Sequence, residues 1–243
     1  MSLKNPEPVG VIGGVGPLAT AYFLRRIVEQ TEAYNDQDHV DVLVLNHATI
    51  PDRTAYILGE SSENPGPVLA RDAQRLEAFG VSFIVMPCNT AHYFTQQVID
   101  AIEGEFLSII DVTVNAVTRN FPNATKVGLL ATAGTVSSQV YQDAFGGVGI
   151  EVITPSIEDQ KAINEVIYSQ VKAGLPSDVA TIRAVAEHLI DQGAATVILG
   201  CTELSVAAVD HDLLDDPMFC DSMDQLVRAT IEHSGHTVRH TAH

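Results

Sequence analysis

An α/β fold of two similar open parallel-sheet lobes, flavodoxin-like and related by pseudo-twofold symmetry, is predicted by three observations. Short apolar runs alternate with stretches of helical spacing, the pattern of a helix-flanked parallel sheet. An early run in each half passes into a turn that contains glycine. A later run in each half ends in a small polar turn that carries a cysteine.

In chain order, Val9 to Ile12 reads as a strand entering Gly13-Gly14-Val15-Gly16-Pro17, and Leu18 to Tyr34 has helical spacing. Val40 to Asn46 is the next strand, followed by a polar loop with Pro51-Asp52-Arg53-Thr54 and a Ser/Asn/Pro/Gly stretch from Gly59 to Pro67. Arg71 to Phe79 reads as a helix stopped by Gly80, and Phe83 to Met86 as a buried strand ending at Pro87. The second half repeats the scheme. Lys126 to Leu130 is a strand, Ala131-Thr132-Ala133-Gly134-Thr135 its turn, and a helix starts near Val136. Glu151 to Thr154 follows as a strand, then helices over Ile163 to Lys172 and Val179 to Gln192. Thr196 to Leu199 is a buried strand leading to Gly200-Cys201-Thr202, and a last helix over Met223 to His233 crosses back to the first lobe. The expected division is a first lobe of residues 1–112, completed by 217–243, and a second of 113–216. Open sheets of this kind bind ligands at the carboxyl ends of their strands. Cys88 and Cys201 then stand on opposite walls of one cleft.

The chain of 243 residues can bury the core of two small domains, and 46% hydrophobic against 18% charged residues is a globular composition. Thirteen Lys plus Arg against 31 Asp plus Glu give a net charge of −18. That field repels nucleic acid and anionic membrane, so neither is an expected partner; solubility or a salty interior accounts for the acidity. An anionic substrate would need its basic residues close at hand. Met1 to Pro8 is polar and no apolar run is long enough to span a bilayer, which makes a cytoplasmic location the expectation. Three cysteines do not make a disulfide framework, so each is open to packing, metal binding or reactivity.

Cys88 lies in Met86-Pro87-Cys88-Asn89-Thr90-Ala91-His92, where an apolar strand gives way to a polar turn and a helix N-terminus. Backbone N–H groups there favour a thiolate and bind carboxylates. Cys201 has the same setting in Leu199-Gly200-Cys201-Thr202-Glu203-Leu204. A lone buried cysteine is ordinarily inert packing, but matched contexts, one per half, point to paired reactivity. Cys220 lacks the polar turn and reads as structural. Zinc and thioredoxin-like redox chemistry need close pairs such as C-x-x-C, and these cysteines are isolated in sequence, so no metal is expected. His233, His236, His240 and His243 have helix-like spacings without a supporting Cys or Asp cluster and read as a polar tail. The glycine turn departs from the dinucleotide fingerprint and reads as an edge of the cleft.

Pro87-Cys88-Asn89-Thr90-Ala91-His92 with Gly200-Cys201-Thr202-Glu203-Leu204 resembles the aspartate/glutamate racemase family, and more closely its aspartate racemase branch. Ile12-Gly13-Gly14-Val15-Gly16-Pro17, Pro51-Asp52-Arg53-Thr54, Ile167-Tyr168 and Val171-Lys172-Ala173-Gly174 resemble that branch too. The resemblance implies cofactor-independent racemisation of an acidic amino acid, aspartate foremost and glutamate as a variant, with Cys88 and Cys201 as the two proton-transfer residues. It implies that Asn89, Thr90 and Ala91 help hold the substrate, that Arg53 and Lys172 bind its carboxylates, and that Thr202 and Glu203 sit beside the second cysteine. Glu203 would orient the substrate amine or tune the thiol.

The chemistry agrees, because inverting an α-carbon needs a base on one face and an acid on the other, and a thiolate and a thiol can exchange those roles. Backbone and hydroxyl donors around Asn89, Thr90 and Thr202 would stabilise the carbanion. Arg53 could grip a carboxylate through two bonds, and Lys172 would supply a point charge. His47 and His92 read as packing or supporting groups. The expected partner is a small amino diacid; a homodimer is left open. Two other readings stand beside this one: a related superfamily enzyme such as a hydantoin racemase or maleate isomerase, and a non-catalytic binding protein for an anionic metabolite.

Overall fold

Two four-stranded sheets share one strand order. In the first, β1 (Val9–Gly13), β2 (Val42–Asn46), β3 (Phe83–Val85) and β4 (Glu105–Leu107) run parallel in the order β2-β1-β3-β4. In the second, β5 (Lys126–Leu130), β6 (Glu151–Ile153), β7 (Val197–Leu199) and β8 (Phe219–Asp221) repeat that order as β6-β5-β7-β8, again parallel. The central strands are buried throughout in β1, β3 and β7, which is why they read as unbroken apolar runs and not as alternating ones. The computed structural model describes residues 7–209, 213 and 216–239. Met1 to Pro6 of the polar N-terminus and His240 and His243 of the tail lie outside the described residues.

The helices of the first half are α1 (Pro17–Gln30), α2 (Arg53–Ile57), α3 (Gly66–Ala78), α4 (Thr95–Ile99) and α5 (Ile109–Asn120). Those that follow are α6 (Ala133–Ser138), α7 (Val140–Gly146), α8 (Ile157–Asn164), α9 (Val179–Asp191), α10 (Thr202–Val209) and α11 (Ser222–His233). α1 starts with Pro17, whose fixed φ and missing N–H suit a first turn. α5 starts where Ser108 accepts the N–H of Asp111. β8 joins the second sheet, and α11 then returns to pack on α1 and α5.

Several local expectations are corrected. The Pro51–Thr54 segment is not all loop: Asp52 accepts the Ala55 N–H at 2.7 Å and starts α2 at Arg53. The turn-rich stretch ends inside α3, because Asn64 takes the Gly66 N–H and proline is tolerated in a first turn. The single helix expected over Ile163 to Lys172 is the end of α8 followed by a π-helical turn, Glu165–Val171. Three-residue strands such as β4 and β8 carry too little periodicity to be read from sequence.

Three apolar cores result. One fills the outer side of each sheet: Ile12, Leu69 and Ile84 in the first, Leu130, Ile182 and Leu199 in the second. The third is shared, joining Val11 and Phe23 to Leu129, Tyr141 and Ile231. The lobes are therefore fused along a continuous apolar seam, with the strand ends that carry the cysteines next to it.

Candidate active site

Cys88 and Cys201 follow equivalent third strands, β3 and β7, and line one small polar cavity. Both are buried. The backbone N–H groups of Ala91 and Glu203 do favour the thiolates, as the turns suggested, but burial outweighs them. Burial pushes the Cys88 thiol up, and Arg53, the Ala91 N–H and Lys172 counter only part of it. Cys201 is pushed well above the ordinary thiol range, first by burial and then by Glu203. Its Sγ donates to Glu203 Oε2 at 3.0 Å, and the Thr202 hydroxyl lies 3.4 Å from the same oxygen. Both environments favour the thiol over the thiolate, that of Cys201 the more strongly.

Two cations complete the wall. Arg53 is steadied by the carbonyls of Ile50 and Pro51, at 3.3 and 3.0 Å. Lys172 stands 3.9 Å from Glu203 Oε1 and 4.6 Å above the Tyr168 ring. Burial alone would lower its pKa, but Glu203, Cys201 and Tyr168 raise it, so it stays charged. The π-helical turn places it: Lys172 N–H donates to Ile167 O, a five-residue step that widens the helix before the lysine. Tyr168 in turn donates to Thr54 Oγ1 at 3.1 Å, next to Arg53. Gly134 of α6 presses on the same threonine, since a Cβ there would meet Thr54 Oγ1 at 2.7 Å.

The glycine turn forms the mouth. Gly14, Gly16, Pro17, Leu18 and Ala48 line a vestibule that shares Arg53, Lys172 and Glu203 with the cavity. Gly14 has φ +83 and a Cβ would fall 2.4 Å from the His47 carbonyl carbon, so only glycine fits.

Beneath the cavity the residues after Cys88 reach across to the second lobe. Thr90 Oγ1 lies 3.0 Å from the Thr132 and 2.8 Å from the Thr135 hydroxyl. Asn89 has its oxygen bonded by the Tyr141 hydroxyl at 2.6 Å and its nitrogen donating to Ser222 at 3.0 Å. Of the sequence-derived set, Arg53, Cys88, Asn89, Thr90, Lys172, Cys201, Thr202 and Glu203 line the cavity. Ala91 does not; its side chain is buried, and its N–H is directed to Cys88. Val15, Asp52, Thr54 and Thr132 also line it and were not singled out. Thr132 sits in the turn after β5, the counterpart of the glycine turn after β1, and that repeat was the available signal.

His92 is neutral. Burial drops its pKa to about 4. Its Nε2 must accept the Ile109 N–H at 3.1 Å, which leaves Nδ1–H to donate to Cys88 O at 2.8 Å. It thus ties the cysteine turn to the start of α5. His47 is bonded to buried Asp72 at 2.6 Å, outside the cavity. Cys220 is packed in the shared core with its thiol pushed up to about 12 by burial. Among the described residues no group of three or more His, Cys, Asp or Glu could hold a metal ion, and no helix is long and apolar enough to cross a membrane.

A thiol from each of two like-ordered lobes, set in one cavity with an arginine and a lysine, defines a two-lobed α/β enzyme of the racemase class. The chain belongs to the Asp/Glu/hydantoin racemase family, whose model matches residues 12–230. It is similar to the broad specificity amino-acid racemase RacX of Bacillus subtilis, 28% identical with 92% of this chain and 96% of that one covered. It is also similar in structure to the Picrophilus torridus aspartate racemase, with TM-score 0.80, 30% identity and 96% of each chain covered. An aspartate racemase homologue from Pyrococcus horikoshii matches with TM-score 0.75 and 25% identity, over 94% of this chain and 99% of that one.

Proposed function

We propose that the protein racemises an acidic amino acid, most simply aspartate, by transferring protons through Cys88 and Cys201 without a cofactor. The observation that carries this reading is the placing of one thiol from each lobe in a single cavity with Arg53 and Lys172. Two cations suit a diacid and leave a neutral hydantoin ring without a partner for them. Cys88 is the thiol that gives its proton to solvent first, because it has no carboxylate hydrogen bond while Cys201 is held by Glu203. Its thiolate takes the α-proton, forming S–H. The carbanion takes the proton of Cys201 from the other face, leaving a thiolate there, and proton exchange with solvent resets the pair. Hydroxyl and backbone donors at Thr90, Thr132 and Thr202 meet the charge that spreads onto the α-carboxylate.

Circular dichroism of purified protein with D- and L-aspartate, then D- and L-glutamate, is the direct test, with no cofactor added and after dialysis against a chelator. Maleate in a parallel assay separates the isomerase reading. Cys88→Ser and Cys201→Ser should each slow racemisation by about 10²- to 10⁴-fold. Arg53→Ala should weaken transition-state binding of aspartate by roughly 2 to 5 kcal/mol. Racemisation at a near-wild-type rate after either serine change, or activity that appears only with added metal or pyridoxal phosphate, defeats the reading.

A further inference from the structure

The Asn89 amide sits where a substrate contact was expected, yet its two ends are taken up by protein. Tyr141 Oη donates to its oxygen at 2.6 Å and its nitrogen donates to Ser222 Oγ at 3.0 Å. Ser222 Oγ then donates to the carbonyl of Leu199 at 2.7 Å. Leu199 ends β7, the strand that leads through Gly200 to Cys201. A chain of hydrogen bonds therefore runs from the residue after Cys88, through Ser222, to the strand end before Cys201, crossing from one lobe to the other. Asn89, Tyr141 and Ser222 are all buried. Gly200 completes the fit, because a Cβ there would meet Leu129 at 2.6 Å and Tyr141 at 3.2 Å.

We infer that Ser222, with Tyr141, is a positioning residue that fixes the spacing of the two thiols by bracing Asn89 against the end of β7. Such bonds matter in this place for a physical reason. Each thiol must lie within reach of one face of the same carbon, and a misplacement near 1 Å costs on the order of a hundredfold in rate. The two lobes carry the thiols separately, so their spacing depends on what connects the lobes, and close to the thiols this chain does so beside the Thr90 bonds to Thr132 and Thr135. Neither Ser222 nor Tyr141 lines the cavity, so neither acts on substrate itself. The inference rests on the two-thiol reading above.

The readout that separates positioning from general weakening is the fate of solvent deuterium. Removal of the α-proton needs one correctly placed thiolate, whereas inversion needs the opposite thiol in register as well. Initial turnover of one enantiomer in heavy water should put label into the inverted product and leave recovered substrate nearly unlabelled. In Ser222→Ala the opposite thiol is out of register, so inversion should slow by about tenfold or more while labelled, uninverted substrate appears. Tyr141→Phe removes only the hydroxyl on Asn89 and should shift the partition in the same direction, which keeps the test usable if one variant folds poorly. Thr230→Val deletes a buried hydroxyl on the same helix, bonded to Leu226 O, and should lower melting temperature without moving the partition. A folded Ser222→Ala or Tyr141→Phe enzyme with the wild-type partition overturns the inference. Label entering both enantiomers from the start in the wild type would instead overturn the two-thiol reading.

Discussion

Glu203 makes the two thiols unequal, since its carboxylate accepts the Cys201 S–H while Cys88 has Arg53 and Lys172 as the charges that lower it. The negative charge and the hydrogen bond both favour the protonated form of Cys201, so removing them must bring that thiol down. Glu203→Gln should therefore move the pH midpoint for alkylation of Cys201 to lower pH and that of Cys88 by much less, as followed by peptide mass spectrometry. An unmoved Cys201 midpoint would mean that the carboxylate does not govern it. The cysteines were legible in sequence because their matched turns appear once per half; their protonation was not, because burial outweighs the backbone donors that the motif suggested. Asn89 shows the same limit. Its place in the motif is visible, but the partners that use up its amide come from positions 141 and 222, remote in sequence.

At the level of elements, the cation wall depends on a short helix and a π-helical turn clasped together. Tyr168 bridges them, holding Thr54 of α2 by its hydroxyl and Lys172 by its ring. Tyr168→Phe keeps the ring and loses the bond, which should raise KM for the proposed substrate, aspartate, by roughly 2- to 12-fold, the worth of about 0.5–1.5 kcal/mol, with kcat nearly unchanged. Tyr168→Ala also removes the cation–π contact and should raise it further. Steady-state kinetics in which neither variant alters KM would show that the clasp does not position the cations. Gly134→Ala should act on the same clasp from the other side, because the new methyl must displace Thr54. Helical spacing over Ile163 to Lys172 was readable, whereas the five-residue hydrogen-bond step that aims the lysine follows from tertiary contacts and leaves no periodic trace.

Across the whole molecule, two similar parallel-sheet lobes and the return of the last helix were legible from alternation and repeat, but the apolar seam that joins the lobes was not. The shared core uses residues from both sheets and from α11, and each of these looks in sequence like an ordinary apolar position. Where α11 begins, the seam contains a charge problem that gives a pH signature. Asp221 caps α11 by accepting the Met223 N–H, and it accepts the Ser205 hydroxyl of α10. Its other oxygen and the Tyr22 hydroxyl of α1 have no partner among the described residues. Burial, with Asp224 adding to it, raises the Asp221 carboxyl to about 7. Between the ordinary carboxyl value of about 3.9 and about 7, the folded chain binds a proton that the unfolded chain releases, so Asp221 lowers stability as pH rises. His92 works in the opposite sense. Its folded value of about 4 lies below the usual imidazole value, so its contribution grows as pH rises toward about 6.5 and is lost on acidification. The two slopes offset each other in the wild type over most of that window. Asp221→Asn removes one of them and preserves an acceptor for Ser205 and Met223. Relative to wild type, this variant should gain stability steadily from about pH 4 to 7, by a total on the order of 4 kcal/mol. Urea unfolding of both proteins at intervals across that range isolates the difference, because every other carboxylate titrates in both. A difference that stays constant with pH would mean that Asp221 is charged in the folded protein throughout, and that the seam between the lobes is open to water at the start of α11.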